Sequence, residues 1–386
     1  MDGRAPSIDS AWAWLVGLVP SEWRPALGIF AGVIILLWLV INGLKTILEL
    51  IKAWQELQRR RARASEPKPE IGPLPAPRVS VWTPPIHSPP RPKMVENGGK
   101  PIVTTANMKG GVGKTTLTAN LAAHLDAQGQ KVLLIDLDYQ GSLSQTALAA
   151  ANISRMGSVV DDLIRGNKSM GAILEASQTL TPALSNSRIL TCYYEFSDTE
   201  THEMVDWLVA IREGKPTDDV RFRLTQLLQD EAVQAHYDVV LIDAPPRFST
   251  GTINALCAST HLIIPTVLDQ MSAEAVIYFS RDVAAMKRDL FPQLRLVGVV
   301  PTLVHQAVGF TPREQEIIDG INTALRPYWG VNKAVLEDAF VPRKNWIGDI
   351  SGTGIGYFDA GQSRHTREIR AIFDRVGSAI GKHIWP

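Results

Sequence analysis

The chain has 386 residues, and its 39 lysines and arginines are balanced by 39 aspartates and glutamates. That length allows two or three structural units, and the even charge gives the whole molecule none of the basic surplus that marks nucleic-acid binding. Cys192 and Cys257 form no CxxC pair, which argues against a disulfide framework and an iron–sulfur cluster. Eight histidines without an HxxxH pair give no support to a zinc site.

Two apolar stretches open the chain. Residues 1–25 form an N-terminal segment whose patch Ala11–Val19 has nine residues, too few to cross a membrane as a helix. This patch either lies in the membrane interface or packs against the stretch that follows. Ala26–Leu44 has nineteen residues without a charge. As a helix it would be about 29 Å long, close to the ~30 Å hydrocarbon core of a bilayer. We expect a single transmembrane helix over 26–44, with a buried core helix as the alternative.

Basic residues indicate how this span is oriented. Two precede it, Arg4 and Arg24, and six follow within the next twenty residues: Lys45, Lys52, Arg59, Arg60, Arg61 and Arg63. Because the cytoplasmic side carries the excess of lysine and arginine, the C-terminal part of the chain is predicted to lie in the cytoplasm. Residues 45–64 continue as a basic amphipathic helix beside the membrane.

A proline-rich linker follows at residues 65–100, with ten prolines in thirty-six residues. Such a chain favours an extended polyproline conformation, so the linker should tether the next domain without docking on it. Pro84-Pro85 and Pro89-Pro90 leave open a second role, binding to an aromatic groove of a partner.

A glycine-rich loop at residues 108–116 reads MKGGVGKTT and follows Ile102–Ala106, a β-branched run typical of a strand. Apolar residues recur at helical spacing after the loop. Peptide N–H groups of such a loop contact phosphate oxygens, Lys114 reaches the β- and γ-phosphates, and Thr115 supplies a hydroxyl to Mg²⁺. Met108 stands where the strict pattern has glycine, and Lys109 adds a second lysine.

Two further apolar runs, Lys131–Asp138 and Tyr237–Asp243, end in carboxylates. The carboxyl ends of parallel strands face the crevice in which a nucleotide binds, so we expect these aspartates beside the phosphate loop. Mg²⁺ takes hard oxygen ligands, usually one or two carboxylates with phosphate oxygens. A strand-end cap or solvated turn is the alternative for each aspartate alone. Their joint occurrence with a phosphate loop favours ATP and Mg²⁺ as cofactors.

With these motifs the chain resembles the ParA/MinD family of deviant Walker-A P-loop ATPases over roughly Lys100–Gly381. The resemblance rests on four segments, KGGVGKTT at 109–116, DLDYQG at 136–141, LIDAPP at 241–246 and VPRKN at 341–345. It is closer to ParA than to MinD because of Gln140-Gly141 and the segment that contains Pro342. The resemblance implies a bacterial ATPase that is slow, is stimulated by an unidentified protein partner and forms an ATP-dependent homodimer.

The resemblance also implies a role for each matching residue. Lys109 would reach the partner subunit's phosphates across an ATP-sandwiched dimer, and Asp138 would position the attacking water; these are the expected catalytic residues. Thr115 and, through water, Asp243 would hold the metal, with Asp136 supporting its shell. The expected nucleotide-binding residues are Lys109, Gly110, Gly111, Val112, Gly113, Lys114, Thr115, Thr116, Pro342 and Asn345.

Two features depart from the family pattern. Tyr139 stands where ParA proteins usually have proline, and the stretch between Asp138 and Asp243 is longer than usual. An inserted partner-binding surface or a helical extension would account for the extra length.

Alternating apolar strands and helical segments predict an α/β fold over residues 101–386. The expected architecture is a doubly wound, mostly parallel sheet of the P-loop NTPase type, preceded by the single transmembrane helix and the linker. The predicted strands are Ile102–Ala106, Val132–Leu137, Arg188–Cys192, Val239–Asp243, Leu262–Pro265 and Leu296–Val300. The predicted helices are Thr115–Gln128, Met204–Arg212, Arg221–Asp230, Ala273–Arg288, Pro312–Leu325 and Thr366–Ile380.

Three functions remain at this stage. The first is a membrane-anchored, ATP-dependent dimerisation switch that positions or organises a partner complex, located at the bacterial cytoplasmic (inner) membrane. The second is a membrane-anchored P-loop protein kinase related to bacterial tyrosine kinases, which usually carry a tyrosine-rich tail. No tyrosine follows Phe358, and that favours the switch. The third is a DNA-partitioning ATPase, which shares the fold but conflicts with a membrane span.

Overall fold

The structure is a computed structural model of the chain. It describes residues 99–305, 309–344, 347, 354–357 and 364–385, together with Ser80–Thr83 and isolated positions before them. The chain divides into two compact units, Met1–Glu70 and Ile71–Pro386. All of the strands that the structure describes belong to the second unit.

In the described part of the chain, seven strands form one sheet. All neighbouring strands pair in parallel except the first edge pair, which is antiparallel. Most are continuous apolar runs, as expected of parallel strands that helices cover on both faces. The strands are β1 (Ile102–Thr105), β2 (Val132–Asp136), β3 (Gln178–Leu180), β4 (Leu184–Leu190), β5 (Val239–Asp243), β6 (His261–Val267) and β7 (Arg295–Thr302).

Helices connect the strands. They are α1 (Lys114–Ala127), α2 (Ser142–Ala150), α3 (Val159–Arg165), α4 (Met170–Glu175), α5 (Phe196–Arg212), α6 (Arg223–Gln229), α7 (Glu231–Gln234), α8 (Thr250–Ala258), α9 (Gln270–Leu290), α10 (Pro312–Trp329) and α11 (Arg364–Ile384), with a 3₁₀ turn at Val220–Phe222 before α6. Several ends carry clear signals. Thr311 and Glu314 form a reciprocal capping box at the start of α10, and Gly330 ends that helix in the left-handed conformation.

Successive side chains of each strand enter two separate hydrophobic cores, one on each face of the sheet. In β1, Ile102 belongs to one core and Val103 to the other, and the strands on either side alternate in the same way. The Val103 core contains the apolar faces of α1 and α11, and the Ile102 core contains those of α5, α6, α8, α9 and α10. Each fully buried leucine or isoleucine contributes roughly 1.5–3 kcal/mol, so these two layers hold the sheet in place.

The strand order is β3-β4-β2-β5-β1-β6-β7, which places β1 in the interior of the sheet between β5 and β6. Asp136 at the end of β2 is the register partner of Asp243 at the end of β5. Asp243 is also the partner of Thr105, the last residue of β1. The parallel order therefore brings the acidic ends of β2 and β5 to the carboxyl end of the sheet, where the phosphate loop follows β1.

The six predicted strands are present, and the predicted mostly parallel sheet is confirmed. Strand β3 was not predicted, because its three residues carry no apolar run. Helix α5 begins at Phe196 and not at Met204, since its first turns bury Thr199 and Glu200 among polar partners and hide the apolar period. The short helices α2, α3, α4, α7 and α8 were also missed.

The predicted transmembrane helix Ala26–Leu44 lies outside the described residues except for Trp38 and Ile41–Gly43, which are helical. The described positions of the predicted 45–64 helix are also helical, and their apolar side chains are exposed. Among the residues that the structure describes, no helix combines the length and apolarity that a membrane crossing needs. The span and the patch Ala11–Val19 stay predictions.

The linker differs from the expected free tether at one point. Trp82 is only 3% exposed and stacks on Trp207 of α5, with the two ring centroids 6.2 Å apart. A single indole can bury 150–250 Å², enough to dock a short segment whose other residues are polar or proline. Periodicity cannot reveal such an anchor, because one side chain forms it.

Candidate functional site

The phosphate loop joins β1, an interior strand of the sheet, to α1. Gly111 and Gly113 adopt φ values of 72° and 81°, a left-handed conformation that side chains disfavour. Helix α1 begins at Lys114 directly after Gly113, so its unpaired N–H groups face the space in front of the loop. The Thr302 hydroxyl at the end of β7 donates to the Val112 carbonyl (2.9 Å) and holds the loop from below. The backbone is therefore shaped as an anion cradle.

Lys114 and Thr115 occupy the first turn of α1. The Lys114 ammonium donates to the Lys109 carbonyl (3.1 Å), and the Thr115 hydroxyl donates to Oδ2 of Asp243 (2.6 Å). Burial lowers the pKa of Lys114, and the charges of Asp243 and Asp138 oppose that shift. The Lys114 ammonium therefore lies close to the acidic strand ends and within the phosphate loop.

Asp136 and Asp243 lie side by side and are both buried. Asp136 accepts hydrogen bonds from the N–H and the hydroxyl of Ser144, each 2.8 Å long. Burial, with the nearby Asp243, raises the pKa of Asp136 well above its usual range. Burial raises the pKa of Asp243 to about 7, although the Thr115 hydrogen bond and Lys114 favour its charged form. Two neighbouring buried carboxyls create a demand for a cation.

Asp138 stands two residues beyond Asp136, where β2 has ended. It is half-buried, and its Oδ1 accepts a hydrogen bond from the Gln140 N–H (3.1 Å). Its own N–H donates to Oδ1 of Asp136 (3.1 Å), so the two aspartates share one turn. The turn directs Asp138, unlike Asp136, to the wall of an open cavity.

That cavity has a volume of about 620 Å³ and opens in front of the phosphate loop. Its walls include Gly110, Lys114, Thr115 and Asp138 on one side and the segment 341–344, which contains Pro342, on the other. Val304 and Pro342 pair through an isolated bridge, which fixes this second wall beyond the end of β7. Its volume lies within the range of nucleotide-sized pockets. The predicted base contact Asn345 lies outside the described residues.

Lys109 does not face this cavity. Its ammonium donates to the Ser272 hydroxyl (2.7 Å) and forms an ion pair with Asp269 (3.4 Å) at the start of α9. The Lys109 side chain is about one third exposed. In the chain as described, the residue expected to act across a dimer is therefore held by its own subunit.

Sequence reasoning missed residues that hold the site from distant positions. Ser144 fixes Asp136 from α2, and Asp269 and Ser272 hold Lys109 from α9. None of these three residues belongs to a sequence motif. Serines and aspartates after strands are common helix caps, so their presence there does not indicate a contact with a site residue. The signal available for Asp269 was its place as an N-cap, where its side chain accepts from the Ser272 N–H.

Tyr139, the departure from the family pattern, has a defined contact. The Arg247 guanidinium lies 4.2 Å from the centre of the Tyr139 ring. Arg247 also forms an ion pair with Glu200, which is buried near the start of α5. The turn after β2 and the loop after β5 are thereby connected to α5, a contact that no local sequence motif indicates.

The comparisons with known proteins agree with this geometry. Residues 100–296 match the family described as the AAA domain. The chain is 32% identical to the chromosome-partitioning ATPase Soj of Thermus thermophilus over 203 residues, which are 52% of this chain and 68% of the relative.

Two solved structures share the fold. A variant of Cyanothece McdA in complex with ATP has a TM-score of 0.55 at 17% identity, covering 74% of this chain and 96% of that one. Cobyrinic acid a,c-diamide synthase of Mycobacterium smegmatis, with bound ATP analogue and magnesium, has a TM-score of 0.50 at 24% identity, covering 66% and 91%.

Proposed function

The chain belongs to the AAA domain family and, within it, to the ParA-like P-loop ATPases. On that premise we propose that it is an ATP-dependent dimerisation switch, anchored in the bacterial cytoplasmic membrane, that positions or organises a partner complex. The observation that carries the proposal is the group formed by Lys114, Thr115 and Asp243 at the wall of the cavity, beside the Lys109 loop.

ATP and Mg²⁺ are the cofactors, and the residues present fit them. Oδ1 of Asp243 is buried without a hydrogen-bond partner among the described residues, beside a second buried carboxyl, Asp136. No group of three or more acidic, histidine or cysteine side chains in the described chain is placed to hold a metal alone. Thr115 and Asp243 would therefore hold Mg²⁺ together with phosphate oxygens, for which Lys114 supplies charge. Mg²⁺ bound there would neutralise part of the charge of the triphosphate.

Hydrolysis requires a water oriented toward the γ-phosphorus, opposite the oxygen that leaves with ADP. Asp138 is the carboxylate at the cavity wall that is free of the buried pair, so we assign it this orienting role. One of its oxygens is engaged by the Gln140 N–H within the same turn. We therefore expect slow basal turnover, which a protein partner that reshapes this turn would accelerate.

Dimerisation would bring two triphosphates face to face, and their combined charge requires cations from both subunits. Lys109 lies at the surface of the loop and needs only to exchange Asp269 and Ser272 for phosphate oxygens. We propose that this exchange accompanies pairing. Sequence supports the anchor: the uncharged stretch Ala26–Leu44 is long enough for a bilayer, and basic residues follow it.

DNA partitioning is the second candidate. It is favoured by the name of the relative that shares 32% identity, a chromosome-partitioning ATPase. The balanced charge of the chain and the predicted span weigh against it. ATP-dependent retention of the purified protein on non-specific duplex DNA at physiological salt would favour this second candidate over the membrane switch.

The test compares two variants of the full-length protein. Lys114→Ala should fail to bind ATP, because the phosphates lose a buried point charge. Asp138→Ala should bind ATP with Mg²⁺ as the wild type does, hydrolyse it about 100-fold more slowly and accumulate as an ATP-bound dimer. Binding, phosphate release and sedimentation report these effects.

Asp319→Ala is the matched control, since Asp319 is exposed on α10 away from the cavity. It should behave as the wild type in all three measurements. Hydrolysis by Asp138→Ala at the wild-type rate would disprove the assignment of the water-positioning residue. A wild-type protein that stays monomeric with and without ATP would disprove the switch.

A further inference from the structure

Trp82 of the linker occupies a built socket on the ATPase domain. Its indole stacks on Trp207 with an angle of 16° between the rings. Arg221 is fully buried, donates from Nη1 to the Trp82 carbonyl (2.8 Å) and places its guanidinium 4.6 Å from the Trp207 ring. Asp219 holds that guanidinium through Nε (2.8 Å) and Nη2 (2.6 Å). Trp82 is thus held by a stacking contact and by a buried, paired arginine that also lies over the Trp207 ring.

The linker residues around Trp82 form a local turn. The Trp82 N–H donates to the Ser80 hydroxyl (3.2 Å), and the Thr83 N–H donates to the Ser80 carbonyl (3.2 Å). Val81 within the same turn is 57% exposed. The turn therefore inserts one side chain into the socket and leaves its neighbour in solvent, which provides an internal control.

Helix α5 connects the socket to the ATPase loops. Trp207 and Glu200 lie seven residues apart, two turns of helix, and so share the buried face of α5. Glu200 forms the ion pair with Arg247, and its carbonyl accepts a hydrogen bond from the Thr250 hydroxyl (2.6 Å). A displacement of α5 at Trp207 would therefore move a residue that holds the loop after β5.

Helix α8 provides a second connection between the socket and the loops of the site. Asn254 on α8 is fully buried, donates from Nδ2 to the Val220 carbonyl (2.8 Å) and accepts from the Leu224 N–H (3.0 Å). These bonds fix the segment that carries Arg221. The socket is thus joined to α8 directly, and to the start of α8 a second time through α5 and Glu200.

These contacts reach two loops, the turn that contains Asp138 and the loop that follows Asp243. Arg247 lies over Tyr139, the residue that follows Asp138. A Cβ added at Gly251 in the first turn of α8 would lie 2.9 Å from the Leu137 carbonyl oxygen, so α8 packs directly on the turn between Asp136 and Asp138. Arg247 itself stands four residues after Asp243.

We propose that Trp82 is a positioning residue for ATP hydrolysis: by docking on Trp207 and Arg221, the linker holds α5 and α8, and with them the loops of Asp138 and Asp243, in the arrangement that hydrolysis needs. The inference rests on the proposed ATPase function. It makes the linker part of the hydrolytic machinery, although its residues contact no substrate. Lys114 and Thr115 lie outside this set of contacts, and Asp243 at the end of β5 is held separately by its hydrogen bond to Thr115, so docking is expected to affect kcat more than nucleotide affinity.

The test measures ATP hydrolysis by full-length variants. Trp82→Ala should lower kcat about fivefold or more, the lower end of typical coupling between sites, with KM for ATP within about twofold of the wild type. Trp82→Phe, which keeps an aromatic ring in the socket, should restore most of the rate. Val81→Ala should match the wild type. Trp82→Ala combined with Arg247→Ala should be no slower than Arg247→Ala alone, because both changes act along one path.

A second experiment, without nucleotide, measures whether the linker is docked. It records the rate at which trypsin cleaves the chain after Arg78. A protease must bind several extended residues on each side of the bond, so cleavage requires Ser80–Thr83 to leave the socket. Trp82→Ala should raise this rate and Val81→Ala should not. Thermal unfolding checks that the variants are folded, and Trp82→Leu, which keeps an apolar side chain, replaces Trp82→Ala if the latter unfolds.

Each outcome decides the proposal. Faster cleavage with unchanged kcat would show that the linker docks without serving hydrolysis and would overturn it, as would a cleavage rate that Trp82→Ala leaves unchanged. A change in KM for ATP with kcat unchanged would also overturn the proposal. An inactive wild-type protein would instead defeat the proposed ATPase function, and this result is distinct because no variant is needed to see it.

Discussion

Asp243 is a buried carboxyl whose pKa burial raises to about 7. A carboxyl that binds its proton more tightly in the folded chain stabilises the fold most at low pH, and this contribution is lost as pH rises from about 4 through about 7. In metal-free protein, Asp243→Asn removes the charge that must otherwise be buried. The variant should therefore gain stability relative to the wild type as pH rises through that window, by on the order of 1 kcal/mol or more.

Denaturant unfolding of both proteins between about pH 5 and pH 8 measures this difference. Asp319→Asn, at an exposed position, is the matched control and should show no such trend. The groups that face Asp243 are Lys114, Thr115, Asp136 and Asp138, and all are retained in both proteins. Stability curves of wild type and Asp243→Asn that run parallel over the whole window would contradict the raised pKa.

At this scale the sequence identified the residues that lie within motifs and missed those that support them. Lys114, Thr115, Asp136, Asp138 and Asp243 could be recognised because strand, loop and carboxylate follow each other along the chain. Their partners come from distant positions, and only the fold brings them together: Ser144 from α2, Asp269 from α9 and Glu200 from α5. A single serine or glutamate in a polar stretch carries no signal of such a contact.

At the scale of secondary-structure elements, the start of α9 fixes the position of the Lys109 ammonium. Asp269 caps α9 through the Ser272 N–H and pairs with the Lys109 ammonium. Asp269→Asn keeps a competent cap but removes the charge, so Lys109 is released for the partner subunit. Because a partly exposed ion pair is worth about 0.2–1 kcal/mol and each subunit contributes one lysine, we expect the ATP-dependent dimer to form at a concentration about two- to thirtyfold lower.

Sedimentation with a slowly hydrolysed ATP analogue measures that shift. Asp289→Asn, near the other end of α9, is the matched control, and Lys109→Ala should bind nucleotide but fail to pair. If Asp269→Asn dimerises as the wild type does, the ion pair does not compete with pairing. If Lys109→Ala dimerises normally, the lysine does not act across the dimer.

Elements differ in how readily the sequence reveals them. Parallel strands covered on both faces appear as continuous apolar runs, so β1, β2, β5, β6 and β7 were predicted close to their observed bounds. Helices α5 and α8 bury polar residues such as Glu200 and Asn254 that are satisfied by distant partners, and this interrupts the apolar period on which helix prediction depends.

For the whole molecule, the decisive prediction concerns the anchor. Full-length protein should stay in the membrane fraction after high-salt and carbonate washing, because burial of an apolar helix is insensitive to screening. A fragment that begins at Ser65 should be soluble and should still bind ATP with Mg²⁺. Fractionation followed by nucleotide binding measures both. Release of the full-length chain by salt alone would show a peripheral association.

The docked tryptophan also decides where mechanical tension enters the domain. Strand β1 is an interior strand of the sheet, and the phosphate loop follows it, so a pull transmitted along the linker to Lys100 would act directly on the nucleotide cradle. Lys100 is held at that point by the carbonyls of Gln234 and Tyr237. With Trp82 seated on α5, a pull from the N-terminal side ends at the outer helical layer instead. Until the indole leaves its socket, such a pull does not act on β1 and the phosphate loop directly.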